Sequence, residues 1–205
     1  MANDTTAAAT ALRIIPAAEA PFADVESVFG TRGDPAGCWC QWYKLGRADF
    51  RSEGRDGLRE RLAAQLAEPG PGPGLLAYDG ETPVGWCAVE PRPALPRLAQ
   101  SPIGSASPDG DFGDADVWSV SCFVIPRAFR RRGVAGALAR AAADYARDHG
   151  ARVLEAYAVD PSARETKPPA ADLFPGTVSM YLAAGFHEVA RPKPHRAVMQ
   201  LDVGA

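Results

Sequence analysis

The sequence predicts a single α/β domain built on a mixed sheet with flanking helices, and three observations predict it. A strand-like run, "DVWSVSCFVI" (116–125), leads through a glycine turn into an alanine-rich helix and then into "ARVLEAYAV" (151–159), the strand, crossover helix, strand order of a parallel pair. Strand-like runs joined by a tight turn lie ahead of it, and a closing antiparallel pair lies behind. The 205 residues, 46% hydrophobic and 23% charged, suit one medium-sized domain with its own core.

In chain order, residues 1–11 read as a mobile N-terminus and the domain as 12–205, starting with a short strand, "LRIIP" (12–16). In "PFADVESVFG", Phe22, Val25, Val28 and Phe29 share one helical face, and Gly30 stops the helix. A Trp- and Cys-rich segment follows, then "GRDGLRERLAAQLAE", whose Leu58, Leu62 and Leu66 recur at helical spacing before the breaker "PGPGPG". "GLLAY" and "VGWCAVE" form a hairpin across "DGETP". Residues 91–115, rich in Pro, Gly, Ser and Asp, read as a surface excursion or lid. The crossover helix carries Val134, Leu138, Ala141 or Ala142, and Tyr145 on one stripe, with Arg147 and His149 in its last turn and Gly150 as its stop. A helix over roughly 175–184 precedes the closing strands "GFHEVAR" and "HRAVMQLDV".

Charge and targeting signals narrow the setting. A formal net charge of −3 and a pI near 5.6 argue against broad nucleic-acid binding. No apolar run approaches the ~20 residues of a membrane span. "MANDTTAAAT" lacks the basic and apolar regions of a signal peptide, so a cytoplasmic protein with no membrane partner is expected. Cys38, Cys40, Cys87 and Cys122 are too sparse for a disulfide scaffold and are expected as thiols. Cys38 and Cys40 lack zinc-knuckle spacing and clustered histidines, so no metal is expected.

The crossover helix poses an electrostatic problem. Arg130, Arg131 and Arg132 crowd its N-terminus, which already carries about half a unit of positive charge. A bound anion would resolve the conflict. A P-loop is excluded, because both its Lys and its hydroxyl residue are missing. A dinucleotide fingerprint fits poorly: only Gly133 and Gly136 are present, although Glu155 lies about 20 residues further on, as a ribose-binding acid would. About 70 residues after Gly133 also leave little room for a doubly wound sheet.

"RRRGVA", Arg130 to Ala135, satisfies [QR]-x-x-G-x-[GA] after a strand and at a helix start, and resembles the acetyl-CoA loop of the GNAT superfamily of N-acetyltransferases. "MYLAAGF", Met180 to Phe186, is similar to the superfamily's late tyrosine segment, and the element order from Leu12 to Val203 matches as well. Many members carry an Asn seven positions before that tyrosine, where this chain has Phe174.

The resemblance implies an acetyl-CoA-dependent N-acetyltransferase with a splayed parallel strand pair in its sheet. The amides of Arg131, Arg132, Gly133, Val134, Ala135 and Gly136 would surround the pyrophosphate, with the guanidinium groups of Arg130 to Arg132 outside them. Backbone groups of Phe123, Val124 and Ile125 would face pantetheine and the thioester carbonyl, whose oxygen gains negative charge during transfer. Tyr181, at the position of the family's tyrosine, is the candidate acid for the departing thiolate. Glu155, on a strand face with Tyr157, and Glu90, ending the hairpin, are candidate bases acting through water, and an acceptor that is already deprotonated needs neither.

The segment after the first helix commonly borders the acceptor in this superfamily. That places Trp39, Trp42 and Tyr43 on an aromatic wall, joined by Trp86 or Trp118, unless these rings are core. The acidic run "DGDFGDAD" (109–116) either draws in a cationic acceptor or is solvated loop. The acceptor expected is the primary amine of a small molecule, with a protein or peptide amine, or a non-catalytic acyl-CoA-binding module, as the alternatives. Sequence leaves monomer and homodimer open.

Overall fold

The computed structural model describes residues 11–204, so the segment 1–11 expected to be mobile lies, apart from Ala11, outside the described residues. Among the described residues seven strands form one sheet, β1 (Arg13–Pro16), β2 (Leu75–Asp79), β3 (Thr82–Pro91), β4 (Val117–Val124), β5 (Val153–Val159), β6 (His187–Lys193) and β7 (Arg196–Asp202). Their order is β1-β2-β3-β4-β5-β7-β6, with β4 and β5 parallel and every other pair antiparallel. The helices are α1 (Phe22–Phe29), α2 (Gly33–Cys38), α3 (Arg47–Ala67), α4 (Pro96–Ala99), α5 (Val134–Asp148) and α6 (Val178–Ala183).

Strand alternation sends side chains to two cores. Leu75 and Ala77 of β2 join Leu138, Ala142 and Tyr145 of α5, together with Tyr181 and Phe186. Leu76 and Tyr78 face the other way, onto Val25, Val28 and Phe29 of α1 and Leu58, Leu62 and Leu66 of α3, around a fully buried Trp86. Each such buried side chain contributes roughly 1.5–3 kcal/mol over exposure. The helix expected from Gly54 begins earlier, at Arg47, and is broken at Gly54.

The pairing of β4 shapes the functional half of the sheet. Its register with β3 runs Ala88↔Cys122 and then Val89↔Val120, so Ser121 is an unpaired extra residue, a β-bulge. The ladder between β4 and β5 stops at Val120↔Ala156, and beyond it the two strands diverge. Into this gap comes a strap, Phe174–Thr177. The Phe123 amide donates to the Phe174 carbonyl at 2.6 Å, the Val159 amide donates to the Gly176 carbonyl at 2.9 Å, and Thr177 bridges Val159. The late helix is therefore shorter than expected, starting at Val178 under a Thr177 cap.

Residues 91–115 are not the polar lid the composition predicts. Leu95, Leu98 and Ile103 pack with Tyr157 and Val198 in a third core over the sheet. Arg92, fully buried, donates to Ser107 Oγ (3.0 Å) and to the Asp111 carbonyl, and lies 3.7 Å from the Glu155 carboxylate. Glu155 also accepts from Ser107, Tyr157 and, at 2.9 Å, Gln200. The acidic run is held likewise: Arg152 reaches Asp109 and Asp114 at 2.8 and 2.7 Å. Ser107 and Arg92 anchor the buried Glu155, and Asp109 and Asp114 tie the segment to Arg152 at the surface, which composition alone cannot distinguish from solvation.

Removing one partner of a buried ion pair strands the other charge, at a cost of about 3–5 kcal/mol. Glu155→Ala should therefore lower the unfolding free energy by about that amount in a urea titration, while Arg92→Met combined with Glu155→Met should recover most of it. A loss below about 1 kcal/mol in Glu155→Ala would show that the segment is held by its apolar side chains alone.

Candidate functional site

Where β4 ends, Gly133 caps α5 with φ +80 and Arg131 is also left-handed at φ +63. This tight turn directs successive amides outward. From Arg131 to Gly136 none finds an acceptor among the described residues, because the first three α5 amides precede any intrahelical partner and the loop supplies none. A Cβ built at Gly133 meets nothing within 4 Å, and at Gly136 only the Arg140 side chain at 3.8 Å, so the space beside the amides is open.

That space is a groove of about 430 Å³, lined by the loop, by Phe123, Ile125 and Phe129, and by Leu173, Phe174 and Met180. Arg130 and Arg131 edge it, and Arg130 Nε donates to the Ile125 carbonyl at 2.9 Å. Arg132 turns away, toward Asp79 at 3.3 Å. The groove joins a helix start with partnerless amides, a geometry that suits an anion, to apolar side chains.

A second cavity, of about 650 Å³, lies on the α1 to α3 side of the sheet. Ser121, Cys122 and Val124 form its floor, Phe29, Cys38, Cys40, Trp42, Tyr43 and Phe50 stand on one side, and Phe174 and Arg196 on the other. Phe174 lines both cavities and is the partition between them. Trp39 and Cys40, at φ 47 and 53, are non-glycine residues in left-handed conformation, each costing on the order of 1–3 kcal/mol. They turn the chain sharply after α2, which brings Cys38, Cys40 and Trp42 onto the same cavity.

The aromatic residues divide accordingly. Trp42, 46% exposed, and Tyr43 face the cavity, whereas Trp39 stacks on Phe29 (4.8 Å, 8°) in the core. Trp86 is core as well, and Trp118 packs against Tyr145 and His149 on the opposite face of the sheet. Alternating Trp and Cys in "CWCQW" gave no sign of the left-handed turn that separates Trp39 from Trp42.

The acid and base candidates are enclosed. Tyr181 is fully buried and its hydroxyl donates to the Pro175 carbonyl at 2.9 Å. Burial first, then the neighbouring Cys87 and Cys122, push its pKa well above the ordinary tyrosine value. Glu90 is clamped by Lys44 at 2.8 Å, with burial raising its pKa against the opposing effect of the ammonium. Glu155 sits beneath the 91–115 segment. None of the three, Tyr181, Glu90 or Glu155, lines either cavity. Phe123, Val124 and Ile125 do border them, Phe123 and Ile125 on the groove and Val124 on the larger cavity.

A sequence model of the acetyltransferase (GNAT) family matches residues 39–166. The chain is similar in fold to PaiA N-acetyltransferase from Thermoplasma acidophilum in complex with coenzyme A, at 12% identity and a TM-score of 0.51, covering 94% of this chain and 99% of that one. It is also similar to PH1933 from Pyrococcus horikoshii OT3, at 14% identity and a TM-score of 0.50, covering 94% and 98%. No curated protein matches the sequence.

The division among the tryptophans is open to measurement. Trp39→Ala removes a fully packed ring and should cost about 3–5 kcal/mol in chemical denaturation, whereas Trp42→Ala should cost less than about 1.5. Similar losses in the two variants would put both rings in the core.

Proposed function

The chain belongs to the GNAT acetyltransferase family, and on that premise we propose that it transfers an acetyl group from acetyl-CoA to the primary amine of a small molecule. The observation that carries this reading is the run of partnerless amides from Arg131 to Gly136 opening on an apolar groove. A pyrophosphate fits such a start of a helix, and Arg130 and Arg131 add charge-assisted bonds at its edge. Acetyl-CoA supplies the activated acyl group. The larger cavity, within the ~300–1,000 Å³ range of small-molecule sites, favours a small acceptor over a protein surface.

The neutral amine nitrogen forms the new C–N bond as the C–S bond breaks, and the proton lost by nitrogen is balanced by one gained by sulfur. The chain's residues for this work are the Phe123 amide, a donor for the carbonyl oxygen, and the Tyr181 hydroxyl, the proton donor for the thiolate. Both are engaged by the strap, through the carbonyls of Phe174 and Pro175. Engagement of substrate therefore exchanges these two bonds, and the same withdrawal moves Phe174 out of the way between groove and acceptor cavity. Glu155 and Glu90 are fixed in ion pairs away from both cavities, so the acceptor enters as the free amine and loses its proton to water.

Thiol release from acetyl-CoA against a panel of small amines, beside a CoA binding titration, tests the reading. Gly136→Leu is the sharper probe. It relieves a glycine in a helix, worth roughly 0.5–1 kcal/mol of added stability, yet fills the groove beside the amides. Its CoA affinity should fall on the order of tenfold or more. A stable Gly136→Leu protein with parental CoA affinity would remove the groove from the proposal.

Tyr181→Phe should keep CoA affinity and lose on the order of 10²-fold in kcat. Because the folded phenol holds its proton above the ordinary range, the parent should show no falling limb from this group between about pH 8 and 10. A kcat reduced less than about threefold would make Tyr181 a packing residue that tethers the strap.

A further inference from the structure

Arg196 opens β7 opposite Val159, at the diverging end of the sheet, and lines the larger cavity. It is half-buried, and the one hydrogen bond of its side chain among the described residues runs from Nη2 to the Tyr157 carbonyl at a long 3.3 Å. No carboxylate among the described residues forms an ion pair with it. Asp172, on the same cavity, is held by Arg164 at 2.9 Å, and Asp34 sits exposed on the rim. Burial lowers the Arg196 pKa, against the opposing effects of Tyr43 and Asp172. A guanidinium drawn out of water beside aromatic walls lacks the anion that would compensate it.

We infer that Arg196 receives a carboxylate of the acceptor, so that the acetylated amine belongs to a molecule with an acid group and an aromatic or other apolar body, as in an aromatic amino acid. The guanidinium fork matches a carboxylate in two parallel hydrogen bonds, and Trp42, Tyr43 and Phe50 supply the apolar surface for the body. The inference rests on the acetyltransferase reading above, and it assigns Arg196 a role in choosing the acceptor, leaving the transfer chemistry unchanged.

The test compares matched acceptors, L-phenylalanine, L-phenylalaninamide and phenethylamine, with acetyl-CoA in the parent and in Arg196→Gln and Arg196→Lys. The parent should favour the carboxylate over both others in kcat/KM. Arg196→Gln should lose about 10- to 100-fold on the carboxylate, mainly through KM, and less than about threefold on phenethylamine, with Arg196→Lys recovering part of the loss. Equal use of the three acceptors by the parent, or an equal loss on all of them in Arg196→Gln, overturns the inference and leaves the acetyltransferase reading standing. If no amine is acetylated, that reading fails by itself, and binding then decides the inference. N-acetyl-L-phenylalanine, titrated through tryptophan fluorescence, should bind the parent more tightly than N-acetylphenethylamine does, and the difference should vanish in Arg196→Gln. No difference in the parent overturns it.

Discussion

The β4 strand carries one residue more than β3 can pair, and the bulge at Ser121 reaches every part of the site. It shifts side-chain parity, so that Trp118, Val120 and Phe123 all join the α5 core, while Cys122 and Val124 turn to the opposite face. Added local twist carries the strand end away from β5 just beyond Val120. Without that divergence the Phe123 amide would be consumed by a ladder, and there would be neither an opening between the strands nor cavities on its two sides. By interrupting its own sheet the fold frees the Phe123 amide from a ladder and leaves it to the strap.

An open gap in a sheet leaves buried polar groups unsatisfied, and the strap answers that cost. Its three consecutive carbonyls, Phe174, Pro175 and Gly176, accept from the Phe123 amide, the Tyr181 hydroxyl and the Val159 amide. Gly176 is pressed against Phe123, Met180 and Tyr181, where an added Cβ would come within 2.8 to 3.1 Å of their side chains, so the strap is seated and not loosely laid across. A ligand carbonyl competing for the Phe123 amide replaces one hydrogen bond with another, which keeps the net change small and makes the exchange reversible.

The parts of this arrangement that follow local rules were legible in the sequence. Hydrophobic periodicity located α1 and α5, turn residues located the β2–β3 hairpin, and Arg130–Gly136 located the turn into α5 whose amides are left without acceptors among the described residues. What escaped depends on partners distant in the chain. A bulge at Ser121 is a property of register with β3. The burial of Arg92 depends on Glu155, 63 positions away, and turns a segment with loop composition into a packed layer. Tyr181 was singled out by its segment, but its engagement with Pro175 depends on the strap's path through the sheet gap.

Arginines that tie the fold together differ from those that line the two cavities. Arg92, Arg152, Arg164 and Arg191, which tie loops to the sheet or to one another, each meet a carboxylate. The arginines that line the two cavities, Arg130, Arg131 and Arg196, form no ion pair among the described residues. Exposed arginines such as Arg47, Arg51 and Arg140 also stand without an ion pair among the described residues, so the distinguishing case is Arg196, which is half-buried and still has none. Under the proposed transfer from acetyl-CoA to a carboxylate-bearing amine, each substrate would bring its own negative charge to one side of the Phe174 partition.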